Sequence, residues 1–116
     1  MTKQLKPIAR IAVLSIAAAL AASSAGAQGP GWTANGKVVK LVNTANGGVN
    51  IRMSPDLVEC TSQSGYGPNF ASVYPNHPGI NRIKADLLTA YVTGETITLY
   101  LVDSSCTVSE TLLGGW

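Results

Sequence analysis

Two cysteines, one histidine and a run of polar and aromatic residues between positions 62 and 77 are where this 116-residue chain offers chemistry. Cys60 and Cys106 are not spaced as CxxC, and with His77 as the single histidine there are too few thiolate and imidazole ligands for zinc. No calcium-loop spacing is present either, so no metal and no cofactor is expected. Nucleophilic catalysis needs a nucleophile, a base and an orienting group. His77 lies between Asn76 and Pro78 in a rigid turn, and there is no Gly-x-Ser-x-Gly elbow, Ser-x-x-Lys or His-Glu-x-x-His motif. The six carboxylates are scattered, and the nearest pair, Asp56 and Glu59, reads as a solvated turn. No catalytic residue is expected, and the chain reads as a non-enzyme. What remains is Ser62, Gln63, Ser64, Tyr66, Asn69, Tyr74, Asn76 and His77. Flat rings beside amides and hydroxyls suit sugar or peptide recognition, because the rings stack apolar faces while the polar groups satisfy hydroxyls. Ser62, Tyr66, Asn69, Tyr74 and Asn76 are the expected ligand-binding residues; the competing reading is that they are ordinary turn residues.

The first 27 residues set the compartment in which that chemistry would operate. Lys3, Lys6 and Arg10 form a positive n-region, Ile11 to Ala22 an apolar run, and Ala25-Gly26-Ala27 a small-residue cleavage site, the pattern of a signal peptide. The apolar run of about a dozen residues falls short of the ~20 needed to span a bilayer. The expected protein is periplasmic or secreted, with no membrane span once the signal is removed. Cleavage after Ala27 leaves 116 − 27 = 89 residues, one small domain. The net charge of +2 then loses three cations and becomes 5 − 6 = −1. No basic patch survives to neutralise phosphates, so no nucleic-acid partner is expected. In an exported chain Cys60 and Cys106 read as one disulfide, and closing a loop of about 45 residues contributes roughly 4 kcal/mol in the chain-entropy model.

Residues 28–36 are rich in glycine and polar groups and read as a flexible lead-in, with 37–116 forming a single domain. Lys37–Asn43, the Asn46-Gly47-Gly48 turn and Val49–Met53 have the signature of a hairpin, with Val49, Ile51 and Met53 inward and Asn50 and Arg52 toward solvent. Ser54-Pro55-Asp56 breaks the strand, Leu57–Cys60 is compatible with a further strand, and Thr61–Pro68 is a polar loop. Asn69–Tyr74 alternates as a third strand, and Pro75–Gly79 is irregular. The spacing predicts one helix over about Asn81–Thr93, with an apolar stripe of Ile83, Leu87, Leu88, Ala90 and Tyr91 and a C′ glycine at Gly94. Glu95–Val102 and Cys106–Leu113 read as the last two strands.

Three strands, a helix and two strands is the order of an OB-fold, so the expected fold is mainly β with one helix, a five-stranded OB-like Greek-key barrel. A small β-sandwich or a meander with a packed helix is the alternative. Leu87-Leu88-Thr89-Ala90 followed by Gly94 and the alternating Glu95–Tyr100 strand resembles a block found in small exported bacterial proteins of unknown function that carry two cysteines. It is more distantly similar to the B subunits of AB-type toxins of the subtilase-cytotoxin and pertussis-like group. The likeness covers Leu87 to Cys106 and includes no sugar-contacting motif, so glycan binding and a homo-oligomeric ring are implications of that family alone. The expected function is an exported, non-catalytic binding or assembly module with a glycan or protein partner. The alternatives are a monomeric periplasmic structural or stress protein and an inhibitor of an extracellular enzyme.

Overall fold

The computed structural model describes residues 28–116; the expected signal segment, 1–27, lies outside the described residues. Among the described residues, six strands and one α-helix follow in the order β1 (Gly31–Trp32), β2 (Lys37–Asn43), β3 (Val49–Ser54), β4 (Phe70–Val73), α1 (Ile80–Thr93), β5 (Ile97–Leu101) and β6 (Val108–Leu113). They form two antiparallel three-stranded sheets, β2-β3-β4 and β1-β5-β6. The inward residues of both sheets, among them Ile51, Val73, Leu99 and Leu101, join Ile83 and Leu87 of α1 in one continuous core.

The expected hairpin forms at 37–54. Gly47 adopts φ 94°, a left-handed conformation that glycine enters without a Cβ penalty, and Thr44 N–H donates to Gly48 C=O at 3.0 Å to close the turn. Alternation then carries Val49, Ile51 and Met53 inward, each at most 2% exposed. Residues 57–60 form no strand. Instead Leu57 and Cys60 are buried as part of the hydrophobic core. The segment 28–36, read as a lead-in, carries β1, whose Gly31 and Trp32 pair with Leu101 and Tyr100 of β5.

The helix begins one residue before its expected start and ends at Gly94, whose φ of 73° lets its N–H reach Ala90 C=O. Among the described residues no helix is long and apolar enough to cross a membrane.

The expected closed five-stranded barrel is found as two open sheets. They meet at two isolated bridges, Gly36 with Ile97 (antiparallel) and Ser72 with Thr107 (parallel). Gly36 also lies tightly against the end of β3, where a Cβ would come within 2.8 Å of Ser54 O. Beyond that bridge β2 runs beside α1 instead of pairing with β5, which leaves the seam open. The Lys37 ammonium spans the opening, donating to Gly94 C=O at 2.6 Å and Thr96 Oγ1 at 3.1 Å.

Candidate functional site

The loop 57–69 crosses the outer face of β3 and β4, and it is fixed there at several points. Cys60 and Cys106 form the expected disulfide. The Asp103 carboxylate accepts from the N–H groups of Ser105 and Thr107, 3.0 Å each, and so shapes the turn that presents Cys106. Cys60 N–H donates to Pro68 C=O and Thr61 N–H to Ser105 C=O. The loop therefore leaves its base held covalently on one side and by backbone bonds on the other.

Gln63 is the second anchor. Its side-chain amide donates to Val49 C=O (3.2 Å) and Val73 C=O (2.9 Å), and its Oε1 accepts from Asn46 Nδ2 (3.0 Å). Its backbone N–H donates to Ser72 Oγ, its C=O accepts from Asn50 Nδ2, and the Ser72 hydroxyl donates to Asn50 Oδ1. Asn50 is thus fully buried and not solvent-facing as alternation suggests: the loop covers that face, and each polar group placed there finds a partner. The arrangement also demands glycine at 48, where a Cβ would come within 2.6 Å of both polar atoms of the Gln63 side chain.

The five expected ligand-binding residues fall into different roles. Ser62 is buried and donates to Gly67 C=O, and Asn69 donates its amide to Leu57 C=O. Both shape the loop. Tyr66 sits at its crest, 47% exposed, with its ring edge-on to Phe70 at 5.9 Å between centroids. Tyr66 and Ser64 share a shallow depression of about 470 Å³ with Asn43 and Thr44, which brings a flat ring beside amide and hydroxyl groups. Tyr74 is half-buried and Asn76 exposed, in the turn between β4 and α1 and outside that depression.

His77 is used by the fold. Gly79 N–H donates to its Nδ1 at 2.9 Å, so the ring proton lies on Nε2, which donates to Ser109 C=O at 2.8 Å. Asp56 pairs with Arg52 (3.0 Å), and the guanidinium's hydrogen bonds hold that carboxyl below the usual aspartate range. Among the described residues there is no group of three or more metal-ligating side chains.

Two further surfaces escape sequence reading. Trp32 packs edge-on to both Tyr100 (5.2 Å) and Trp116 (5.5 Å), and Asn35 holds Trp116 through its main chain; pairing of distant segments builds this cluster. The second is a mostly apolar groove of about 560 Å³ between β2 and α1. Of the helical stripe, Ile83, Leu87 and Ala90 enter the core, whereas Leu88 and Tyr91 stay 57% and 51% exposed. A second row at 84, 88 and 91, flanking the buried one, is the sequence signal for this wall.

Comparison of the chain with protein-family models, with curated proteins and with solved structures finds no match.

Proposed function

We propose that this protein is an exported, non-catalytic binding module that presents Tyr66 to a glycan. The observation that carries the reading is the fixation of the Tyr66 loop: disulfide, Gln63 network, Ser62 and Asn69 all constrain a ring that remains exposed. Such constraint lowers the ordering cost of binding, and a fixed aromatic face beside Ser64, Asn43 and Thr44 suits the apolar face and hydroxyls of a sugar.

The OB-like arrangement belongs to the same proposal. Following β2-β3-β4, then the parallel Ser72–Thr107 bridge to β6, then β5 and the Gly36–Ile97 bridge back to β2 traces a Greek-key circuit with α1 between β4 and β5. The exposed Trp32–Tyr100–Trp116 cluster favours homo-oligomeric assembly as a companion reading, since aromatic patches of this kind are enriched in interfaces.

A glycan array probed with the fluorescently labelled, oxidised protein tests the main reading. Tyr66→Ala is expected to abolish the signal with an unchanged melting temperature. An unreactive parent protein, or equal binding by Tyr66→Ala, overturns it. Light scattering over a range of concentrations tests assembly: a discrete multimer supports a toxin-B-like ring, and a clean monomer eliminates it.

A further inference from the structure

We infer that the groove between β2 and α1 receives an extended acidic peptide, which adds as a strand to the free edge of β2. Beyond Lys37, β2 is paired only with β3. Its far edge carries no strand among the described residues after the Gly36–Ile97 bridge.

The register identifies which backbone groups are free. Thr44 and Gly48 are a hydrogen-bonded pair, so the alternation of an antiparallel ladder makes Val42–Asn50 hydrogen-bonded and Asn43–Val49 and Leu41–Ile51 non-hydrogen-bonded. Leu41 and Asn43 therefore aim N–H and C=O away from β3. Both residues line the groove. So do Lys40 and Val42, which belong to the other face of the strand, and it is thus the edge of β2 that opens here. Leu88 and Tyr91 form the opposite wall. The five residues from Val39 to Asn43 span about 17 Å at the usual rise, room for a strand of comparable length.

Charge selects the occupant. Lys40 and Lys84 line the groove and no carboxylate does. Arg52–Asp56 is the only ion pair among the described residues, so neither lysine has an acidic partner. A second copy is a poor occupant, because β2 carries Lys37 and Lys40 without an acid and edge-to-edge pairing would oppose like charges. A strand alternating apolar and acidic residues satisfies all three features: backbone groups for Leu41 and Asn43, apolar side chains for Leu88 and Tyr91, carboxylates for the lysines.

The test uses the oxidised protein and three blocked hexapeptides: alternating valine and glutamate, alternating valine and lysine, and the glutamate peptide with a central proline. Amide NMR spectra are expected to shift at Leu41 and Asn43 with the glutamate peptide alone, since proline removes a ladder donor. The double variant Lys40→Glu, Lys84→Glu should weaken that peptide about tenfold and gain the lysine peptide. Four results overturn the inference: no shift at millimolar glutamate peptide, equal binding of the proline peptide, shifts confined to other residues, or unaltered charge preference in the double variant. Concentration-dependent shifts at Leu41 and Asn43 without peptide would assign the edge to a second copy and overturn it as well.

Discussion

Thr33 and Thr98 are two buried threonines in the β1-β5-β6 region whose replacement by valine should change stability in opposite directions. Thr98 is 0% exposed, and its Oγ1 has no hydrogen-bond partner among the described residues. Burying an unpaired hydroxyl costs about 1–3 kcal/mol, so Thr98→Val, which keeps the β-branch and exchanges the hydroxyl for a methyl, should stabilise the protein by about 1 kcal/mol. Thr33 is the converse. Its Oγ1 accepts from Leu99 N–H at 3.1 Å and donates to Ala34 C=O at 3.1 Å. Thr33→Val strands the Leu99 N–H in the core and should destabilise by about 1–3 kcal/mol. The same chemical change is made twice, so effects on the unfolded chain largely cancel in the difference. For a domain of this size 1 kcal/mol corresponds to about 4–8 °C in Tm, and urea unfolding at unchanged m-value gives the free energies. A Thr98→Val protein that is less stable than its parent refutes the reasoning.

The remaining expectations concern the disulfide and the one surface ion pair. The cysteines are 46 residues apart, so reduction, or replacement of Cys60 and Cys106 by alanine, should cost about 4 kcal/mol and lower Tm by roughly 15–30 °C. A loss under about 1 kcal/mol would show that the Gln63 network holds the loop without the covalent tie. Asp56 has its folded pKa depressed by Arg52, so its contribution is present above the pKa of the unfolded aspartate and is lost as pH falls through the lower folded value. Side-chain NMR titration should find Asp56 below the ordinary aspartate range in the parent and restored to it in Arg52→Gln. An unchanged Asp56 in that variant would sink the pairing as its cause.

Local patterns made the hairpin, the helix and the last two strands legible. Asn46-Gly47-Gly48 supplies the positive φ the turn uses, Gly94 ends the helix in the left-handed conformation, and alternation alone places Ile97, Leu99 and Leu101 inward. Reading failed where a distant segment decides the environment. Asn50 occupies a position that alternation assigns to solvent, and only the return of 61–66 over β3 buries it against Gln63 and Ser72. Trp32 looks like an isolated apolar group in a polar lead-in until β1 sets it beside Tyr100. The open seam was invisible for the same reason, since strand order does not state how far β2 and β5 pair beyond Gly36.

The candidate site illustrates how a polar loop divides its work. Ser62, Gln63 and Asn69 have the composition of a binding surface, yet each spends a donor inside the protein, on Gly67, on Val49 and Val73, and on Leu57. A domain of this size has little core with which to hold a long excursion, and loop 57–69 covers a sheet face that would otherwise leave Asn50 and Ser72 wet. Satisfying those groups fixes the loop, and fixing the loop sets the orientation of Tyr66 on Phe70. Removal of the Gln63 amide would therefore act on Tyr66 without touching it: the loop would lose its side-chain tie to the backbone carbonyls of Val49 and Val73, and the loop crest would loosen. In the glycan reading, residues such as Gln63 govern affinity through order in the unbound protein, while Tyr66 governs it through contact, and the two kinds of variant separate in their effect on melting temperature.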